Sequence, residues 1–217
     1  MKFTSFFVVL SIIVLVSVAA PARADITVMN PSFEAKNALD TSCGACGDYN
    51  LGSIPDWMIT GGVAGSWQPG PASYHLPLED GSIVAYSNGA TISQTLATAL
   101  APNTAYALYV DVGHRLDGPN GYATNYTIAL YAGSMLLNSF TSSNGMITPG
   151  TFADETVTFT SDASVTPGED LRIVLTSADA QTAFDDVKLT ATATPEPSSL
   201  TLLASGLGLL FFVLRRR

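Results

Sequence analysis

Between Ile26 and Thr192 the chain alternates apolar and polar residues with period two, and turn-forming residues break the alternation at short intervals. Read this way, the strands are Ile26–Met29, Trp57–Thr60, Ile83–Ser87, Thr91–Ala97, Ala105–Val112, Thr124–Ala132, Leu136–Thr141, Thr151–Thr160, Leu171–Thr176 and Thr182–Thr192. Asn88-Gly89, Pro102-Asn103, Gly118-Pro119-Asn120-Gly121, Pro149-Gly150 and Pro167-Gly168 punctuate them. No helical stripe occurs before the C-terminal tail. Ten short strands with regular turns predict an all-β, two-sheet antiparallel jelly-roll sandwich. Parity then assigns faces. Tyr106, Leu108, Val110 and Val112 should face the core, as should Tyr126, Ile128 and Leu130, whereas Tyr109, Asp111, Asn125, Thr127 and Tyr131 face away.

The two ends follow other rules. Lys2, the apolar run Phe6 to Val18 and the small residues of Ala22-Arg23-Ala24 read as a signal helix cleaved by signal peptidase, so that the mature protein begins near Asp25. An uncleaved anchor helix is the alternative. At the other end Pro195-Glu196-Pro197 precedes an apolar run from Leu200 to Leu214 and three terminal arginines. At about 1.5 Å per residue this run just crosses a bilayer, with the arginines held on the cytoplasmic side. A plain tail anchor fits the same physics. The order of these three parts resembles the PEP-CTERM sorting signal of Gram-negative bacteria, which also ends some proteins labelled ice-binding. The resemblance implies a single-pass sorting helix, transient residence in the inner membrane, cleavage by an exosortase, and delivery to the cell surface or an exopolysaccharide matrix. The expected division is therefore 1–24 signal peptide, 25–193 β-sandwich and 194–217 sorting tail. Ice binding has only this shared tail behind it.

Charge narrows the partners. All 18 acidic residues lie from Asp25 to Glu196, where only Lys36, Arg115, Arg172 and Lys188 are basic, so this segment carries 4 − 18 = −14. Such a surface repels nucleic acid and suits divalent cations or neutral ligands. The two cysteines, Cys43 and Cys46, stand in a glycine-rich Cys-Gly-Ala-Cys stretch. In an exported chain this reads as a small disulfide closing a surface loop, with free thiols or a redox site as alternatives. Two cysteines cannot form a zinc site, and neither His75 nor His114 stands at ligand spacing from them.

Asn30-Pro31-Ser32-Phe33-Glu34 opens the domain and Phe184-Asp185-Asp186-Val187-Lys188-Leu189 closes it. This pair resembles carbohydrate-binding modules of the galactose-binding-like jelly-roll class, where the two segments lie together around a structural calcium. The resemblance implies Ca2+ held by Glu34 and Asp186, with Asn30 a further candidate, which is chemistry suited to hard oxygen donors. The bland reading is a terminal strand pair with exposed acids. Parity places Asp185 on the face of Val187 and Leu189, where desolvation would raise its pKa and make it a proton donor; a bulge would remove that argument.

A second resemblance rests on Val84-Ala85-Tyr86, Ile92-Ser93-Gln94-Thr95-Leu96, Leu100 to Tyr106, Val110 to Gly113 and the Phe184-to-Leu189 strand. These are similar to the hapalindole-type cyclases, exported calcium-containing jelly rolls that rearrange and cyclise indole-terpenoid substrates. By that resemblance Asp185 matches the family's catalytic acid. For sugar binding, Trp57, Trp67, Tyr74, Tyr86, Tyr109 and Tyr122 are candidate stacking platforms. Trp67 falls in Gly65 to Pro71, a stretch that Pro and Gly mark as a loop; it could contact ligand or lie as a lid over the core. His114-Arg115-x-Asp117 could line a pocket mouth or form a rim salt bridge.

Hydrolase motifs are absent: no Gly-x-Ser-x-Gly, no His-Glu-x-x-His and no phosphate-binding glycine loop. The acids of Glu79-Asp80 and Asp154-Glu155 would point to opposite faces of a strand. The leading expectation is a surface-sorted, calcium-stabilised jelly roll that binds extracellular polysaccharide through Trp67, Tyr86 or Tyr109. The alternatives are a calcium-dependent cyclase or isomerase using Asp185 as acid, and a purely structural matrix protein.

Overall fold

The computed structural model describes residues 23–75, 77–78, 80–116, 125–142, 147–165, 168–178, 181–194, 206–207 and 214–215. The signal segment, Pro195-Glu196-Pro197 and most of the tail lie outside these, as do Asp117 and Tyr122. Among the described residues no helix is long and apolar enough to cross a membrane.

Eleven strands form, β1 (Arg23–Ile26), β2 (Thr41–Ser42), β3 (Gly47–Tyr49), β4 (Met58–Pro69), β5 (Val84–Ala99), β6 (Thr104–His114), β7 (Tyr126–Ala132), β8 (Met135–Thr141), β9 (Thr151–Thr160), β10 (Asp170–Ser177) and β11 (Thr182–Ala193). One layer runs β2-β3-β4-β5-β10-β7-β8; the other is β1-β11-β6-β9, and a short β5–β11 pairing joins the two. All pairings are antiparallel. This is the expected all-β jelly-roll sandwich.

The core lies between the layers. Leu108, Val110 and Val112 of β6 and Phe184 and Leu189 of β11 meet Ile92 of β5, Ile128 and Leu130 of β7 and Ile173 and Leu175 of β10, all fully buried. At about 1.5 to 3 kcal/mol per buried aliphatic or aromatic side chain, this core supplies the main favourable term in folding. Tyr126 also points inward, and its hydroxyl donates to Glu155 Oε1 at 2.6 Å. Burial and that carboxylate push the phenol well above its usual range.

Three departures from the sequence reading have physical causes. Asn88-Gly89 is not a turn between two strands. Residues 84–99 form one strand that changes partner there, pairing with β11 through Ser87 and with β10 from Thr91. Gly89, at φ 70°, and the bonds of Ser87 Oγ to Ala90 N and O make the corner. Gly65 to Pro69 is not a loop but the second half of β4, paired with β5 from Gly65 to Trp67. The opening strand is Arg23–Ile26 rather than Ile26–Met29, because β1 follows the edge of β11 from Arg23↔Thr192 to Ile26↔Leu189.

A fourth departure governs the site. The β11–β6 register jumps from Asp185↔Asp111 to Lys188↔Tyr109, so β11 carries one extra residue, and Asp186 sits at φ 39°. This β-bulge reverses the parity of residues before and after it. Val187 and Leu189 face the core, but Asp185 does not share their face.

Candidate functional site

The outer face of the second layer is built in rows. The first row crosses Tyr86, Ala183, Gly113 and Phe152. The second crosses Asp185, Asp111 and Asp154, and the third Lys188, Tyr109 and Thr156. The first row is apolar and is not exposed. Trp67, Val84, Tyr86 and Ala183 form a second buried cluster with Tyr49, Tyr74, Leu78 and Phe152 packed on it. The Tyr74 and Phe152 rings lie 4.6 Å apart over Gly113, where an added Cβ would come within 2.7 Å of both.

Asp185 lies at the margin of this cluster with 2 % of its surface exposed. Its Oδ1 accepts the Asp186 N–H at 2.9 Å. Burial is the main cause that pushes its carboxyl up to about 8, and the charges of Asp111, Asp80 and Asp186 push the same way against that one hydrogen bond. The carboxyl is therefore protonated over much of the physiological range. Sequence parity expected a buried Asp185 for the wrong reason: an aromatic-capped outer face, not the sandwich core, desolvates it.

Beside the cluster opens a pocket of about 270 Å³ whose walls include Tyr49, Trp67 and Tyr86, with Leu51 and Val63 as an exposed apolar rim. Trp67 Nε1 donates to Cys46 O at 2.8 Å, which ties the indole to the disulfide-bonded Cys43–Cys46 turn. Arg115 stacks 4.9 Å from the Trp67 ring centre and donates to Gln181 Oε1 at 2.5 Å. Tyr86 Oη donates to Asn50 O at 2.8 Å, and burial followed by neighbouring Tyr49 pushes the phenol up to about 12. Trp67 and Tyr86 are 1 % and 3 % exposed, so neither presents an open ring to stack on a sugar. Trp67 is a packed wall rather than a loop-borne platform. Tyr109 alone of the three predicted contacts is partly open, in a separate groove.

The opening and closing segments do meet. Val187 N donates to Pro31 O at 3.0 Å, and Asn30, Phe33 and Asp186 all adopt left-handed φ of 48°, 58° and 39°. Such non-glycine conformations cost about 1 kcal/mol or more each, so the contact is over-determined. Glu34 Oε1 accepts the N–H groups of Ser82 and Ile83 at 2.7 and 2.6 Å. The Asn30 side chain is already engaged, its Nδ2 donating to Ala35 O and Pro55 O and its Oδ1 accepting from Ala35 N. Among the described residues no three His, Cys, Asp or Glu side chains are arranged to hold a metal. Glu34 thus turns Oε1 to the 82–83 backbone while Asp186 is exposed on the bulge, and both carboxylates are hard oxygen donors of a kind that suits calcium rather than zinc.

Sequence reading missed Tyr49, Asp111, Phe152 and Gln181 as site residues, because only strand register brings them together. The Gly at 113, in an otherwise bulky strand, was the one signal of a close aromatic approach.

Comparison with known proteins agrees with this architecture. The family model described as HpiC1 cyclase matches residues 24–190. That described as the PEP-CTERM protein-sorting motif matches residues 193–217 and implies export with processing by an exosortase. A cyclase from Fischerella sp. TAU is 26 % identical, with a TM-score of 0.68 over 81 % of this chain and 100 % of that one. The Stig cyclase Fisc from Fischerella sp. TAU, solved with (3Z)-3-(1-methyl-2-pyrrolidinylidene)-3H-indole, is 26 % identical, with a TM-score of 0.67 over 80 % and 100 %. A cyclase from the same organism in complex with 4-(1H-Indol-3-yl)butan-2-one is 25 % identical, with a TM-score of 0.67 over 80 % and 100 %. A carbohydrate-binding module solved with β-1,4-galactotriose is more distant, at 12 % identity and a TM-score of 0.44, covering 76 % of this chain and 98 % of that one. No curated protein matches. The chain belongs to the HpiC1-like cyclase family and ends in a PEP-CTERM sorting motif.

Proposed function

We propose that this is an exported acid catalyst of cyclisation or isomerisation, acting on an apolar substrate that carries an aromatic ring. The observation that carries the reading is one buried carboxyl, Asp185, one strand row from the aromatic cap over Gly113. The ring enters the pocket of Tyr49, Trp67 and Tyr86, whose apolar rim suits an indole-sized plane. Asp185 gives its proton to an electron-rich carbon of the substrate, and the ring closes on the cation so formed. The Asp185 carboxylate then takes a proton back from the product cation, so no oxidant or reductant is needed. Asp185 lies one strand row from Gly113 and its Tyr74–Phe152 cap, so the substrate reaches it past the edge of that cap.

The same reading includes a structural calcium ion at the meeting of the 30–34 loop and the 185–188 bulge, with Glu34 and Asp186 as side-chain ligands. Its role is to fix the bulge on which the Asp185 orientation depends. Signal peptidase removes the leader, the sorting tail takes the chain through the inner membrane, and the product of processing resides at the cell surface or in its matrix.

The test uses 4-(1H-indol-3-yl)butan-2-one as a probe of the protein that begins at Asp25, followed by isothermal titration calorimetry. Binding is expected, weakened about tenfold or more by Tyr49→Ala, the partly open wall of the pocket, and retained by Asp185→Asn. A cyclisable indole substrate should be turned over by the parent protein and not by Asp185→Asn. A folded protein that binds neither this indole nor the pyrrolidinylidene-indole would refute the reading.

A further inference from the structure

A second cavity, of about 380 Å³, opens on the same layer and is lined by Arg23, Tyr109, Asp111, Asp154, Asp186 and Lys188. It shares no lining residue with the aromatic pocket. Its centre is the half-buried Tyr109 ring, flanked across the strands by Lys188 on β11 and Thr156 on β9. Asp154 and Lys188 are exposed around it. An aromatic face ringed by carboxylate acceptors and an ammonium donor is chemistry for a polyhydroxylated ligand, since C–H faces stack while hydroxyls both give and accept hydrogen bonds.

We infer that this groove is a saccharide-binding site centred on Tyr109, and that it selects neutral sugars over uronates. In the protein that begins at Asp25, with Asp186 committed to the calcium ion proposed above, Asp111 and Asp154 line the groove against Lys188 alone, and the whole segment from Asp25 to Glu196 carries −14. An anionic polymer is repelled both locally and by the overall field. Arg23 lies 5.9 Å from the Tyr109 ring centre and covers part of it. In a protein that begins at Asp25 this cation is absent, the ring is more open, and the groove is more acidic.

The site goes beyond the cyclase reading: it shares Asp186, the calcium ligand proposed above, but none of its lining residues is Asp185 or a wall of the aromatic pocket. It would hold the sorted protein on extracellular polysaccharide while the other site works.

Calorimetric titration of the protein beginning at Asp25 with cellohexaose, mannohexaose and alginate tests the inference. At least one neutral hexasaccharide should bind and alginate should not. Tyr109→Ala should weaken binding about tenfold or more, and Tyr109→Phe should leave it within about threefold, because the ring rather than the hydroxyl carries the contact. Asp185→Asn should leave it unchanged. Should Tyr109→Ala fail to fold, Asp154→Asn, at an exposed position, should still weaken binding about fivefold through a lost charged hydrogen bond. The inference is overturned if neither neutral sugar binds, if alginate binds as well as they do, or if a folded Tyr109→Ala or Asp154→Asn variant binds like the parent.

Discussion

Asp185 makes the protein less stable as the pH rises, and Asp185→Asn should reverse this. Its folded carboxyl titrates at about 8 against an ordinary 3.8. Between those values the folded form holds a proton that the unfolded form has lost, so stability falls as pH rises. Each pH unit of that one-proton difference is worth about 1.36 kcal/mol, and the whole window accumulates at most about 5 kcal/mol. Asparagine has nearly the shape of the protonated acid and cannot ionise. Its extra N–H groups, buried at this site, cost about 1 to 3 kcal/mol where no acceptor meets them. Near pH 4 the variant should therefore match the parent or fall slightly below it. Near pH 8 it should exceed the parent by about 2 to 4 kcal/mol, while losing turnover. Urea midpoints of the two proteins at several pH values, each in saturating calcium and again in chelator, give the comparison. The neighbouring acids Asp111, Asp80 and Asp186 are present in both proteins, so their own titration cancels to first order. Parallel stability curves, with no crossover between pH 4 and 8, would show that Asp185 is not the desolvated acid and would remove the basis for its role as proton donor.

Two further outcomes follow from the site. Calcium should raise the melting temperature of the parent and do so much less for Glu34→Gln, which keeps the shape but loses the charge that a hard cation requires; identical melts in calcium and chelator would rule out the ion. Gly113→Ala should cost about 1 to 3 kcal/mol in urea denaturation, since its Cβ would lie 2.6 Å from the Phe152 ring and 2.7 Å from the Tyr74 hydroxyl; an unchanged midpoint would mean that these rings do not pack there.

The sandwich was legible because period-two alternation reports strands directly, and the faces of Leu108, Val110 and Ile128 follow from parity alone. Its connections were less so. Asn88-Gly89 has the composition of a hairpin turn, and only the partner change from β11 to β10 shows why the strand bends there instead. Trp67 looked loop-borne because Gly65, Pro69, Gly70 and Pro71 surround it, yet a strand beside a close backbone needs glycine too. The Cβ of a residue at 65 would lie 2.3 Å from Asn50 O, and at 70 only 2.0 Å from Ala45 O. The aromatic cluster was illegible for a different reason. Tyr49, Tyr74, Tyr86 and Phe152 are scattered along the chain, and nothing short of the register joins them.

The bulge at Asp185–Lys188 ties these observations together. Without it, strict alternation along β11 would put Asp185 among Val187 and Leu189, an unpaired carboxyl in the sandwich core at a cost that folding would not sustain. With one residue added, Val187 and Leu189 keep their core places and Asp185 turns outward. There the aromatic cap desolvates it enough to hold a proton, while the edge of the cap leaves a way in. The same added residue sets Lys188 beside Tyr109 and projects Asp186 from the strand. A single irregularity thus sets the buried Asp185 apart from the Lys188–Tyr109 row on the same strands. Any change that straightens β11, such as deleting Asp186, would shift both together and should abolish both sites, whereas Tyr109→Ala should leave turnover intact and Asp185→Asn should leave sugar binding intact.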